Sequence, residues 1–174
     1  MKRAIVMSIA VMLLFGCLGT PESVKPVTGF DSSRYLGKWY EIARLDHSFE
    51  RGLEQVSAQY SLREDGGIKV LNRGFKTESK KWKEAEGKAF FVGEKDVGHL
   101  KVSFFGPFYG SYVIFDLDKE NYQYAFVCGS NTSYLWFLSR TPTVDDKLKA
   151  QFIKQAKELG FDTDALIWVK QETK

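Results

Sequence analysis

Few side chains in this sequence are arranged as catalytic groups usually are. His47 follows Asp46 directly and the two could act as an acid–base pair, but no suitable nucleophile lies near them in the sequence. Glu41, on a predicted strand, is another candidate carboxylate. The short motifs of serine hydrolases, zinc proteases, phosphate-binding loops and calcium loops do not occur. With 2 His and 2 Cys the chain has little from which to build a metal centre, so we predict no metal and no other cofactor.

The amino terminus carries a segment typical of protein export. Lys2 and Arg3 precede an apolar run over residues 4–16, and these 13 residues are too few for a membrane span of about 20 residues. We therefore predict that residues 1–16 are a signal peptide.

The signal ends at a cysteine that could carry lipid. The ending Gly16-Cys17 resembles the lipobox of bacterial lipoproteins, and the alternative, an ordinary secretory signal, lacks the A-x-A cleavage site that it favours. The resemblance implies cleavage before Cys17, which would then carry an S-diacylglycerol group and an N-acyl chain. Leu18 stands where an aspartate would retain such a lipoprotein at the inner membrane, which implies the outer membrane.

The charge balance excludes nucleic acid as a partner. The chain has 25 Lys+Arg against 22 Asp+Glu, a formal net charge of +3. Removal of residues 1–16 takes Lys2 and Arg3 away, which leaves 158 residues with 23 basic and 22 acidic groups. A net charge of +1 gives no overall basic field for nucleic acid.

The rest of the chain is predicted to be a short tether and one domain. Residues 17–29 contain Gly and Pro and no hydrophobic period, which predicts a lipidated tether. No second linker or repeat follows, so residues 30–174 are predicted to form one domain.

Short alternating segments separated by turn residues predict eight strands. Residues 55–62 alternate polar and apolar side chains, and Asp65-Gly66-Gly67 then predicts a hairpin turn. The spacing indicates an all-β fold, either a meander or a barrel, and of these we predict an eight-stranded antiparallel up-and-down β-barrel. The predicted strands are 38–44, 55–62, 68–73, 82–92, 100–105, 112–117, 122–128 and 134–140.

One helix follows the strands. Thr143 and Asp146 form a predicted capping box, and apolar residues then recur at helical spacing as far as Gly160, a predicted helix stop. A single apolar stripe predicts that this C-terminal helix packs outside the barrel. Residues 161–169 are predicted to form a short closing strand.

The predicted inner faces of the strands alternate small and aromatic residues. This pattern leaves volume for an elongated apolar ligand, although a packed core with a taper fits it equally well. The register of the last two strands stays open by one residue, because both of their faces are apolar. The predicted pocket residues are Tyr60, Val70, Ala89, Phe91, Val102, Phe104, Tyr112 and Trp136.

Motifs at both ends of the domain make it similar to the lipocalins. GKWYEIAR at 37–44 resembles the opening G-x-W motif of that family, and LWFLSRTP at 135–142 resembles its late motif. The resemblance implies that Gly37, Trp39 and Arg140 close the base of the barrel, with Arg140 over the indole of Trp39.

Other stretches resemble the Blc type of bacterial outer-membrane lipocalin. They are FERGLE at 49–54, EGKA at 86–89 and VSFFGPFYG at 102–110, whereas the middle lipocalin motif is only loosely echoed at 117–119. The resemblance implies a carrier of fatty acids or lysophospholipids in the cell envelope, acting in membrane maintenance under stress. It would be anchored to the outer membrane through Cys17, facing the periplasm.

Two alternatives to a carrier remain open. One is an envelope enzyme that acts on a lipid within the barrel, using Asp46 and His47 or Glu41, although His47 is predicted to be a loop residue at the barrel mouth. The other is a structural lipoprotein that binds a partner protein. The sequence does not decide whether the chain forms a homodimer.

Overall fold

The computed structural model describes residues 18–172. The predicted signal peptide, residues 1–16, and the predicted lipidation site Cys17 lie outside this range, as do residues 173–174. No helix within the described range is long and apolar enough to cross a membrane.

Eight antiparallel strands form a closed barrel, which confirms the predicted fold class. Each strand pairs with the next, and the first pairs with both the second and the eighth, so the sheet closes on itself. The strands are β1 (Gly37–Arg44), β2 (Leu53–Leu62), β3 (Ile68–Lys76), β4 (Lys81–Phe91), β5 (His99–Phe105), β6 (Phe108–Leu117), β7 (Tyr124–Cys128) and β8 (Leu135–Ser139).

Several strands extend further toward one end of the barrel than the alternation predicted. In β2 the register shifts between Glu54 and Ser57, where Gln55 has a φ of 53°, so the simple alternation breaks although the strand continues. The predicted closing strand over residues 161–169 is wrong in extent. A 3₁₀ helix (Thr163–Ala165) fills its first half, and only β9 (Ile167–Trp168) pairs with β1.

The predicted outer helix is present, but its predicted cap is wrong. Helix α2 (Asp146–Glu158) is capped by Asp145, whose carboxylate accepts a 2.7 Å hydrogen bond from the Leu148 N–H. At its other end Gly160 has a φ of +87°, and the Phe161 N–H donates to the Ala156 carbonyl at 3.0 Å. This arrangement is a Schellman motif, as the position of Gly160 predicts.

Apolar residues form one core inside the barrel and another between the barrel and α2. In the outer core the Phe152 ring lies 4.9 Å from the rings of Phe126 and Phe137. Neighbouring residues of β8 therefore face opposite ways, with Phe137 under the helix and Trp136 against the inner core. This packing fixes the register that the sequence left open.

The segment from 18 to 29, predicted to be a tether, lies against the barrel. The Val27 N–H donates to the Ile114 carbonyl at 2.9 Å, and the Gly98 N–H donates to the Val27 carbonyl at 2.8 Å. Val24 is buried against the outer core. The segment adopts no regular structure, which fits its lack of a hydrophobic period. Val24 nevertheless packs in the outer core and Val27 against the inner core.

Candidate ligand-binding site

The barrel encloses a cavity of about 880 Å³. Residues of the β1–β2 and β7–β8 loops and of the strand ends at the β5–β6 turn line one end of it, which we call the mouth, and the opposite end is the base. Apolar side chains from β2 to β6 and from β8 make up most of the wall. A volume of this size lies within the range of about 300–1,000 Å³ typical of small-molecule sites.

Seven of the eight predicted pocket residues line this cavity: Tyr60, Val70, Ala89, Val102, Phe104, Tyr112 and Trp136. Phe91 does not. Its ring lies 6.1 Å from that of Phe30, in the inner core below the cavity. Phe91 lies on the inward face of β4, as predicted. The cavity ends above it because Phe30 and Tyr35, which precede β1, fill the base of the barrel.

Three tyrosine hydroxyls meet at the bottom of the cavity. The Tyr112 hydroxyl lies 2.7 Å from that of Tyr35 and 2.9 Å from that of Tyr60. Desolvation raises the pKa of Tyr60 to about 12 and raises the pKa values of Tyr35 and Tyr112 well above their usual range. The hydroxyls are therefore neutral and satisfy one another, so the bottom of the cavity offers a ligand no charge.

Below the tyrosines, Arg140 and Trp39 close the base. The Arg140 guanidinium carbon lies 4.0 Å from the centroid of the Trp39 ring, and the guanidinium donates to the carbonyls of Lys38 (2.9 Å) and Arg34 (2.7 Å). The indole N–H donates to the Tyr35 carbonyl at 2.8 Å.

Gly37 lets the chain pass close beneath the guanidinium. Its φ is +94°, and a Cβ at this position would lie 3.2 Å from the Arg140 Nη1. The α1 turn (Ser32–Tyr35), capped by the Asp31 carboxylate, brings Tyr35 under the barrel. A helix of four residues has too little periodic pattern to be predicted from sequence.

A buried ionic cluster lies in the wall near the mouth. Arg44 donates to the Glu41 carboxyl at 2.7 Å and to the Glu50 carbonyl at 3.1 Å, and the Trp136 indole N–H donates to the Glu50 carboxyl at 3.0 Å. All three charged residues are buried, and Glu41 and Glu50 line the cavity.

Burial dominates the ionisation of these two carboxyls. Desolvation raises the pKa of Glu41 well above its usual range, the charge of Glu50 raises it further, and Arg44 opposes both. Desolvation also raises the pKa of Glu50, and the hydrogen bond from Trp136 opposes this. The sequence pattern does not predict this cluster, because three charged residues beside a turn are usually solvated.

His47 and Asp46, the candidate acid–base pair, have separate partners. Arg51 binds the Asp46 carboxylate with Nε at 3.0 Å and Nη2 at 2.5 Å, and this lowers the pKa of Asp46. His47 is buried in the β1–β2 loop at the mouth, stacked between the rings of Phe49 and Tyr134. Desolvation and the charge of Arg44 lower the pKa of His47 to about 4, so the ring is neutral at pH 7.

The mouth also exposes apolar rings to solvent. Phe49 is 64% exposed, Phe105 79% and Phe108 71%. Within residues 18–172, His, Cys, Asp and Glu form no group of three or more that could hold a metal ion. Cys128 is buried, and desolvation raises the pKa of its thiol to about 12, so the thiol is unreactive at pH 7.

Comparisons with known proteins agree with this architecture. Residues 30–171 match the family described as the lipocalin-like domain. The outer membrane lipoprotein Blc of Vibrio cholerae serotype O1 is 65% identical over 170 residues, which cover 98% of this chain and 99% of that protein. The protein of the same name from Escherichia coli (strain K12) is 51% identical over 164 residues, which cover 93% of this chain and 92% of that protein.

A solved structure shows the same fold at low identity. Insecticyanin from the tobacco hornworm Manduca sexta superimposes with a TM-score of 0.70 at 20% identity, covering 88% of this chain and 87% of that one. The match to the family and the identity to the two bacterial proteins show that this chain belongs to the lipocalin family, whose barrels bind small hydrophobic ligands.

Proposed function

We propose that this lipocalin is a membrane-anchored carrier of fatty acids or lysophospholipids that serves to maintain the cell envelope under stress. The observation that carries the proposal is the cavity itself, about 880 Å³ with an apolar wall and a neutral bottom. A single acyl chain fits such a shape because it gains free energy along its whole length and needs no charged partner at its tip.

The polar end of the ligand then lies at the mouth. Arg140, Trp39 and the tyrosines close the base, so a headgroup has no exit there. Side chains of both charges line the upper part of the cavity, including Arg51, Lys76 and Glu50. A zwitterionic lysophospholipid headgroup finds a partner for each of its charges in such a setting.

The relatives' names support the proposed location. Both bacterial proteins are named outer membrane lipoproteins, and they align over at least 93% of this chain. We therefore propose that Cys17 carries the lipid anchor and that the barrel lies at the periplasmic side of the outer membrane.

We further propose that the protein binds its ligand without chemical change. Asp46 is held by Arg51, and His47 is stacked among aromatic rings, so neither is placed to transfer a proton to a lipid in the cavity. Glu41 is tied to Arg44 at 2.7 Å.

Filling the cavity should abolish binding. Ala89 is buried on β4 and lines the cavity, so in Ala89→Trp the indole occupies the volume that an acyl chain needs. If about four methylenes are excluded, the affinity for a lysophospholipid falls by at least about 100-fold, at about 0.8 kcal/mol per methylene. Calorimetric titration of the delipidated protein with lysophosphatidylethanolamine measures this loss.

The matched control is Glu86→Trp, on the exposed outer face of the same strand. This variant should bind with unchanged affinity, which separates a filled cavity from the general effect of an added tryptophan. Equal affinities of the wild type and Ala89→Trp would contradict a ligand inside the barrel.

Removing the predicted lipidation site should release the protein from the membrane. Cys17→Ser leaves no thiol for the diacylglycerol group, so the variant should lose palmitate labelling and no longer fractionate with the outer membrane. Cys128→Ser, at the buried thiol, is the control and should keep both properties. Continued labelling of Cys17→Ser would show that the anchor is elsewhere.

A further inference from the structure

The described chain begins against the wall of the barrel, next to the residue proposed to carry the anchor. The backbone of Leu18 hydrogen-bonds to the His99 side chain, and the Ser111 hydroxyl donates to the Gly19 carbonyl at 2.7 Å. Because consecutive Cα atoms are about 3.8 Å apart, an anchor on Cys17 starts within one residue of strands β5 and β6. An anchor on Cys17 would therefore be joined to the barrel without a long flexible linker, so the barrel would stay close to the bilayer.

The outer face at this point combines lysines with aromatic rings. Lys101 pairs across the sheet with Ser111 on one side and Phe90 on the other, so it lies directly beside the contact of the segment with β6. The ammonium groups of Lys88 and Lys101 lie 5.9 Å and 5.2 Å from the centroid of the Tyr109 ring.

The same hairpin ends in exposed aromatic side chains. Phe105 is the last residue of β5 and pairs with Phe108, the first residue of β6. At 79% and 71% these two are the most exposed large hydrophobic residues among residues 18–172. Exposed rings beside lysines are characteristic of surfaces that lie at the headgroup level of a membrane.

We infer that this surface, defined by Lys88, Phe90, Lys101, Phe105 and Tyr109 and called here the hairpin face, lies on the lipid bilayer. The lysines contact anionic headgroups and the hairpin tip enters the interface. The inference rests on the proposed anchor at Cys17, and it adds the orientation of the barrel: β5 and β6 face the membrane, and β1 and β2, on the opposite side of the closed sheet, face away. The mouth then opens at the membrane surface, where a lipid can enter it.

Lysine footprinting of the lipidated full-length protein tests this orientation. The protein is reconstituted in vesicles of phosphatidylethanolamine and phosphatidylglycerol, acetylated briefly, and compared with the lipid-free Cys17→Ser protein by mass spectrometry. Lys88 and Lys101 should react at least five-fold more slowly on vesicles. Lys38, exposed on β1, and Lys170, exposed beside β2, lie on the opposite side of the barrel, should react at unchanged rates and serve as internal controls.

Each other outcome overturns part of the account. If every lysine reacts on vesicles at the rate measured in the lipid-free protein, the barrel does not contact the bilayer. Protection of Lys76, Lys80 and Lys81, at the β3–β4 hairpin, without protection of Lys101 would put a different face on the lipid. If the protein does not sediment with vesicles at all, the proposed anchor fails and this inference fails with it.

A pair of phenylalanine variants tests the role of the hairpin tip. Phe105→Ser should reduce the protection of Lys101 at least two-fold, because it removes the exposed ring from the tip. Phe49→Ser removes a similarly exposed ring from the β1–β2 loop and should leave the protection unchanged. Equal effects of the two variants would argue against the hairpin face.

Discussion

Trp39→Ala will lower the free energy of unfolding by about 3–5 kcal/mol, the usual cost of truncating a buried large aromatic residue. Trp39 is fully buried, packs 4.7 Å from the Tyr35 ring and lies beneath the Arg140 guanidinium. Its removal opens the base of the barrel at the point where the first and last parts of the domain meet. Urea denaturation followed by circular dichroism measures the loss.

A double-mutant cycle isolates the contact with Arg140. Arg140→Ala should cost less than Trp39→Ala, and the two losses should fall short of additivity by about 0.5–3 kcal/mol. Arg73 and Trp82 provide a matched control, because their guanidinium and ring are also 4.0 Å apart but Trp82 is 44% exposed. The control cycle should show little coupling energy. If the losses of Trp39→Ala and Arg140→Ala simply add, the two side chains do not stabilise the base through their contact.

The second large effect is expected at the ionic cluster near the mouth. Arg44→Met should destabilise the fold by about 3–5 kcal/mol, since it leaves the carboxyls of Glu41 and Glu50 buried without their cation. Arg51→Met is the control: it makes the same substitution in a solvent-exposed ion pair with Asp46 and should change the free energy of unfolding little.

The destabilisation by Arg44→Met should also depend on pH. The pKa values of Glu41 and Glu50 are raised in the folded state, so their protonation favours the fold below the ordinary glutamate pKa, and this contribution is lost as the pH rises through the folded-state values. Without Arg44 these values rise further. The deficit of Arg44→Met relative to the wild type should therefore be smaller at pH 5 than at pH 8, and equal deficits would contradict the buried carboxyls.

The alternation and spacing of residues were enough to predict eight strands in a meander or a barrel, because every strand has one face toward the interior, and the lipocalin resemblance favoured the closed barrel. The period of two placed Ala89 and Val102 on the cavity wall, and the spacing of large residues predicted the helix outside. In β8, where both faces are apolar, only the packing of Phe137 under α2 decides the register.

The sequence did not predict features that depend on contacts between distant segments. Glu41, Arg44 and Glu50 become a buried cluster only when Trp136, 86 residues further along, donates to Glu50. Residues 18–29 similarly have no local pattern, and their position depends on hydrogen bonds to β5, β6 and the residue before β5.

The most direct test of the proposed carrier function is native mass spectrometry of the protein purified from its membrane without added lipid. The cavity predicts one intact single-chain lipid per barrel, a fatty acid or a lysophospholipid, and predicts that Ala89→Trp is purified empty. Recovery of a two-chain phospholipid, of cleaved products or of wild-type protein without lipid would contradict the proposal.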